Sequence, residues 1–281
     1  MSDKIQWPRV SKSNPCPICG KPDFCTITPD GKAVCCMRVE SNKPVKNGGY
    51  MHFLDDQTRI RVPKKRAKCK QITNIDFSAM AIEAANATGG YVAELAEQLE
   101  IPILSFIHLC VGYRLGLWTF PMKDAKGYII GIRTRNAKGE KRAIKGSKSG
   151  LFIPATSIDP YEPLYICEGP TDTAALMGLG FQVIGRPSCM GGTDMVFEFC
   201  ERHKIKDVVI FADRDEPKKR PDGSVWYPGV DGANRLVEAI KPVLRSVKVI
   251  KPPHFKDVRK WINNGATKAS IVSLVANTNY Y

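Results

Sequence analysis

The chain is short of acid. Across 281 residues, 42 Lys and Arg face 28 Asp and Glu, a formal net charge of +14. An excess of that size calls for a polyanionic partner, and nucleic acid is the first candidate. Long apolar runs are missing too. None approaches the length that spans a bilayer, and the opening MSDKIQWPRV has no apolar leader core. A cytoplasmic protein with no membrane partner is therefore expected. A G-x-x-x-x-G-K-[ST] phosphate loop is also absent. IKGSKSG at 144–150 comes nearest and lacks the leading glycine, so no ATP-driven helicase is expected within this chain. A disulfide framework is not expected either, because ten cysteines in a reducing compartment read as metal ligands wherever they cluster.

Half of those cysteines fall in NPCPICGKPDFCTITPDGKAVCC at 14–36. Cys16-Pro-Ile-Cys19-Gly places two thiols on one tight turn, the start of a structural zinc site. P-D-G at 29–31 marks a hairpin between TIT and AVC that returns the later cysteines toward that turn. The usual second C-x-x-C is missing, so the expected set is Cys16, Cys19, Cys25 and Cys36. Cys35 is the alternative to Cys36, since neighbours on a strand point to opposite faces, and His52 is an outside candidate. The module is expected over 1–58, finished by one or two further strands. RIRVPKKRAKCK at 59–70 makes 59–73 a basic linker.

Residues 74–159 change character twice. Apolar spacing of three and four over 74–114 predicts short helices, broken at Gly89-Gly90 and Ile101-Pro102. They suit a packing bundle better than a DNA-reading helix pair, because the second helix has almost no basic residues, and His108 is expected in its core. From 117 the period becomes two, and LWTFPMKDAKGYIIGIRTRN reads as two strands turned at 124–127. Arg133 and Arg135 share one face of the second strand.

The last part, 160–281, holds two apolar runs that end abruptly in carboxylates. In PLYICEGPTDTAAL at 163–176, Leu164 to Cys167 reads as a buried strand and Glu168-Gly169 as the turn after it. Thr171 is then the cap of a helix starting at Asp172. In DVVIFADRDEP at 207–217, Val208 to Phe211 empties into Asp213 and Asp215. FQVIGRPS and SVKVIKPP supply two more strands, and Gly229 to Gly232 open the helix ANRLVEAIKPVL. Strands alternating with helices imply a parallel sheet, with ligand sites outside the carboxyl ends of its strands. Glu168, Asp213 and Asp215 are therefore expected along one edge. Three carboxylates at one place need a cation, and an oxygen-only set suits Mg²⁺ or Mn²⁺. EPKKRPDGSVWYPGV at 216–230 reads as a surface loop, and Asp257 as a helix N-cap.

EGPTD at 168–172 followed by DRD at 213–215 resembles the Toprim domain of bacterial primases, type I topoisomerases and related enzymes. From Cys16 to Thr267 the order of parts is similar to that of bacterial and phage-type DNA primases. Two departures are the missing C-x-x-C and the stretch between the acidic pair and Gly232. The resemblance implies an α/β fold: a Toprim-type parallel sheet flanked by helices, preceded by a small mixed α+β core segment and an N-terminal zinc ribbon. It implies a nucleotidyltransferase that binds a single-stranded DNA template and joins nucleoside triphosphates into a primer, with a separate replicative helicase as a further partner. Asp213 and Asp215 would hold the catalytic metal, and Glu168 would be a further ligand or general base. Gly169, Asp172 and Gly232 would support them. Arg133, Arg135, Lys141, Arg142, Lys145 and Lys148 would lie near phosphates. Two alternatives remain from the same resemblance. A recombination mediator joins a zinc module to a Toprim domain without catalysis and needs neither the segment 117–153 nor the intact acids. A Toprim nuclease usually rides on an ATPase.

Overall fold

In the computed structural model, which describes residues 7–45, 48–54, 75–87, 90–220 and 222–281, the P-D-G turn closes the first hairpin. Strand β1 (Thr26–Ile27) pairs antiparallel with β2 (Ala33–Cys36), and the Gly31 amide donates to the Thr28 carbonyl at 2.9 Å. β3 (Tyr50–Phe53) adds to the other side of β2. Val10, Ile27, Val34 and Leu54 pack with Cys16, Cys25 and Cys36 into a small core. So few apolar side chains cannot hold a fold of this size without a crosslink or a metal. Contacts divide the chain into two units, Met1–Gln71 and Ile72–Tyr281. The linker expected over 59–73 lies outside the described residues.

The second unit opens with three helices. Asp76 caps α1 (Phe77–Asn86) by accepting from the Ala79 amide. α2 (Tyr91–Leu99) buries Val92, Leu95, Ala96 and Leu99, and stops at Glu100, which turns left-handed. α3 (Ile103–His108) follows. An antiparallel sheet comes next, made of β4 (Gly112–Arg114), β5 (Leu117–Lys123), β6 (Ile129–Arg135) and β7 (Lys141–Ala143) in that order. The helices pack against it through Leu95, Phe106, Trp118, Phe120 and Met122. His108 is a correction to the core expected there: it is exposed, because the buried side of its short helix is filled by Ser105 and Phe106.

A four-stranded parallel sheet forms the rest. β8 (Leu164–Glu168) leads to α4 (Gly169–Gly178), β9 (Val183–Arg186), α5 (Thr193–Arg202) and β10 (Asp207–Phe211). Two short strands, β11 (Lys218–Lys219) and β12 (Val225–Trp226), precede α6 (Pro228–Ile240), β13 (Ser246–Ile250), α7 (Val258–Asn263) and α8 (Lys268–Ala276). The order is β13-β10-β8-β9, all parallel. Alternation explains the continuous apolar runs. Leu164, Ile166, Val208 and Ile210 face Val196, Phe199, Leu236 and Val237 of α5 and α6. Tyr165, Cys167, Val209 and Phe211 face Leu176, Val258 and Ile271 of α4, α7 and α8. A sheet covered on both sides needs an apolar residue at every strand position. This is the expected α/β architecture.

Two details differ from expectation. α4 begins at Gly169 with Glu168 as its N-cap, and Thr171 lies buried within the helix. Gly169 takes φ +81°, a turn open to glycine, and Pro170 suits the first helical turn, so the helix starts directly off the strand. The stretch 216–230, expected as a loop, contains the β11–β12 hairpin. Asp222 and Gly223 lie in its turn, the same Asp-Gly pair that turns β1–β2. The two sheets are joined by residues 151–152: Leu151 bridges Lys123 of β5, and Phe152 bridges Gly185 of β9.

Candidate acidic active site and cysteine centre

Cys16, Cys19, Cys25 and Cys36 bring their sulfurs within 4.8 Å of one another, and no other such group of three or more occurs among the described residues. Cys19 and Cys25 sulfurs are 3.7 Å apart, and those of Cys25 and Cys36 3.9 Å. Zinc–sulfur bonds of ~2.3 Å at tetrahedral angles require sulfurs ~3.8 Å apart, so the set fits zinc. The amides of Met37 and Val39 donate to Cys25 and Cys36, both at 3.4 Å, and the Arg38 guanidinium reaches toward Cys19 and Cys25. These donors offset part of the charge that four thiolates carry. Burial, with Cys16 and Cys19 adjacent, pushes the Cys25 thiol up to about 12, as thiols crowded without a cation must stay protonated. Cys35 turns away toward the Gly48 carbonyl. His52 has its Nε2 on the Val39 carbonyl, 3.0 Å away.

The acids gather at the carboxyl edge of the parallel sheet. Glu168 ends β8, and Asp213 and Asp215 follow β10; all three are half-buried. Their carboxylates do not close into a set as tight as the cysteines, yet they feel one another. Burial first, then Asp215, raises Glu168. Burial, then Asp172 and Glu168, pushes Asp213 up to about 8. Asp172, in the first turn of α4, is buried and is lifted to about 7 by burial and by Asp257. Its carboxylate accepts from the Arg259 amide at 3.1 Å. Asp257 caps α7, accepting from the Lys260 amide at 2.8 Å. Lys256 lies 3.9 Å from Asp215. An all-oxygen set in which burial and neighbouring carboxylates raise Glu168, Asp172 and Asp213 is suited to a hard divalent cation.

This crowding carries a pH dependence. An unfolded aspartate titrates near ~3.9, whereas Asp213 in the folded chain does so at about 8. The folded state therefore holds a proton that the unfolded state has released, and stability falls as pH climbs through that interval. In chelator, urea unfolding should give native protein a lower stability at about pH 9 than at about pH 6, with a smaller difference in Asp213→Asn. An equal pH dependence in the two proteins would refute the assignment.

Of the six cations expected near phosphates, three share a face. The β6–β7 register sets Arg135 opposite Lys141 and Arg133 opposite Ala143. Arg133, Arg135 and Lys141 line one recess with Phe120, Pro170 and Thr171 at the start of α4. Arg133 donates to the Pro187 carbonyl at 2.8 Å. Burial lowers it while Glu168 holds it up, which places it beside the acids. Lys141 is open at its surface but hemmed in by protein. Desolvation pushes its ammonium down, with Asp172 opposing and Arg135 adding to the effect. Arg142 is paired with Thr134 and so lies on the other face of the sheet. Lys145 and Lys148 are exposed in the turn after β7.

Arg186 was missed. It ends β9 directly beside Glu168 in register and is buried. Its guanidinium donates to the carbonyls of Gly191 at 3.0 Å and Gly232 at 3.3 Å, tying the loop after β9 to α6. Burial draws it down to about 10. The available signal was the one that marked the acids: an apolar strand, FQVIG, ending in a charge.

The sequence matches no protein-family profile and no curated protein. Solved structures do match. The zinc-binding and RNA polymerase domains of the Aquifex aeolicus primase align over 95% of this chain and 78% of theirs, at 14% identity and TM-score 0.58. This is the fold of a bacterial primase. The E. coli primase catalytic core aligns over 72% of this chain and 79% of its own, at 13% identity and TM-score 0.54. A DnaG primase catalytic domain solved with single-stranded DNA aligns over 72% and 77%, also at 13% and 0.54. The primase fold thus accounts for the helices, the antiparallel sheet and the acid-edged parallel sheet. Among the described residues no helix is long and apolar enough to cross a membrane.

Proposed function

We propose that this chain is a DNA primase, a nucleotidyltransferase that joins nucleoside triphosphates on a single-stranded DNA template. The observation that carries the reading is the acidic edge itself. Glu168, Asp213 and Asp215 stand along it, Arg133 and Lys141 of the neighbouring sheet are close enough to act on Glu168, and Arg135 shares their recess, within a primase fold. By this reading 160–281 is the Toprim part, 74–159 the remainder of the catalytic core and 1–58 the zinc ribbon that holds template.

Asp213 and Asp215, with Glu168, would hold Mg²⁺ or Mn²⁺, which when bound neutralises triphosphate charge and makes the attacking hydroxyl more acidic. Arg133, Arg135 and Lys141 would orient the phosphates, since cations fixed by packing lose little freedom on binding. The new bond joins the primer 3′-oxygen to the α-phosphorus, the α–β phosphoanhydride breaks, and pyrophosphate leaves. Glu168 is suited to receive the hydroxyl proton, because burial and Asp215 raise it toward the working pH. Arg186 would keep the floor of the site in place. Zinc in the four-cysteine set is part of the same proposal, as is a separate helicase that exposes template.

The direct test is incorporation of labelled nucleotide on unprimed single-stranded templates with Mg²⁺ or Mn²⁺. Template-dependent oligomers are expected. Their absence across varied templates and nucleotides, with a helicase partner supplied, would favour a non-catalytic mediator. Template affinity should also fall steeply with salt, by a slope of about 0.7 per phosphate contacted. Arg133→Ala with Arg135→Ala should weaken nucleotide or DNA binding roughly tenfold or more with folding kept, read by fluorescence anisotropy and thermal unfolding. Unchanged affinity in that double variant would remove both residues from the phosphate site.

A further inference from the structure

The β11–β12 hairpin takes no part in the site described so far. It begins three residues after Asp215 and returns into α6, so the segments on both sides of it lie at the acidic edge. The return leg is held closely: a Cβ on Gly229 would stand 2.2 Å from the Asp213 carbonyl oxygen. The Tyr227 amide donates to the Asp231 carboxylate at 2.9 Å. The turn is closed by the Arg220 amide donating to the Ser224 carbonyl at 2.8 Å. Asp222 is engaged within that turn by Ser224, through amide and hydroxyl.

Register sorts its side chains. Lys218 is opposite Trp226, and Lys219 is opposite Val225. Opposed residues share a face, and so does the residue two further along. Lys218, Arg220 and Trp226 therefore stand on one side, and the Arg220 guanidinium lies over the Trp226 ring, 5.6 Å from its centre. Lys218, Lys219, Arg220 and Tyr227 are exposed, and Trp226 is half-exposed. A short hairpin with so little buried surface has no packing use for an indole between two cations. Cations that neutralise phosphates, flanking a ring on which a base can stack, are the composition of a single-strand platform.

We infer that the β11–β12 hairpin is a single-strand nucleic-acid platform, in which Lys218 and Arg220 meet successive phosphates and Trp226 stacks on a base of the template strand. Its position answers an electrostatic need. The carboxylates repel a polyanion, and cations just outside them hold the strand near the edge without occupying the metal positions. The inference rests on the primase reading for the identity of the strand as template, but its test does not use synthesis.

The experiment measures binding of the full chain to a labelled oligodeoxythymidylate of about 16 nucleotides across a salt series. Lys218→Ala with Arg220→Ala should reduce the salt slope by about 1.4, two contacts at about 0.7 each. Lys219→Ala, on the other face, should leave it nearly unchanged. Native tryptophan emission should be quenched on binding, and Trp226→Phe should remove most of that quenching while thermal unfolding stays as in the native chain. Equal slopes in native and double variant, or full quenching in Trp226→Phe, would overturn the inference and leave the primase reading intact. Binding with these hairpin effects but no nucleotide incorporation would support the hairpin and sink the primase instead. A native chain that binds no oligonucleotide overturns both.

Discussion

Asp213→Asn and Asp215→Asn should each abolish nearly all nucleotide addition while leaving the protein folded. An amide has the shape of a carboxylate without its charge, so the loss falls on metal binding and transition-state electrostatics. A metal polarising a phosphoryl centre contributes several kcal/mol, and each ~1.4 kcal/mol is tenfold in rate. A fall of about a thousandfold or more is therefore expected. Glu168→Gln should be comparably inactive if it ligates metal or takes the proton. Folding should survive because Asp213 is raised by burial and by its neighbours, so removing its charge relieves repulsion. Template binding should survive as well, since it draws on cations. The measurement pairs single-nucleotide incorporation with anisotropy binding for each variant. Synthesis at native rate in Asp213→Asn would place the metal elsewhere.

The second large effect is in the cysteine unit. Cys16→Ser or Cys25→Ser should cost one equivalent of zinc and unfold residues 7–54, leaving the unit from Ile72 to Tyr281 folded. Val10, Ile27, Val34 and Leu54 are nearly all its apolar core. Structural zinc supplies about 10 kcal/mol or more to domains of this kind, a contribution at least as large as the roughly 6–12 kcal/mol from burying four such side chains, so losing it leaves too little to offset the entropy of ordering the chain. Cys35→Ser should be nearly neutral, because that thiol faces the Gly48 carbonyl, away from the cluster. Metal analysis with hydrogen exchange on the two units decides the matter. Reduced native protein without zinc, yet protected over 7–54, would end this account.

What could be read from the sequence followed from local rules. Cys16 and Cys19 are a spacing, and the P-D-G turn that returns Cys36 is a signal confined to a few residues. The positions of Glu168, Asp213 and Asp215 were legible because an apolar strand must stop at the edge of a sheet, and a charged residue directly after the run marks where it stops. Asp257 was legible as a cap for the same kind of reason. What was not legible depended on register and on distant segments. Arg142 looks equivalent to Arg133 in the sequence, yet a pairing with Thr134 turns it to the other side. Arg186 becomes a neighbour of Glu168 only once β9 lies beside β8. The hairpin was hidden by its own composition, since proline, glycine and charge read as loop when the strands on either side are two residues long. His108 failed because a six-residue helix has too little surface to keep a second face inside.

The hydrogen bond from the Arg259 amide to Asp172 spans 87 residues of chain, and it sets an order on the molecule's making. The cysteine unit has all its ligands by Cys36 and its third strand by Phe53, so it can close around zinc early in synthesis. Asp172 emerges long before the turn that steadies it. At about 5–20 residues per second, the amide follows the carboxylate by roughly 4–17 s. During that interval the four cysteines of a nascent chain are all available to a metal while its acidic edge has neither α7 nor β13 to complete it. A chain that ends before Arg259 would keep the first property and never gain the second.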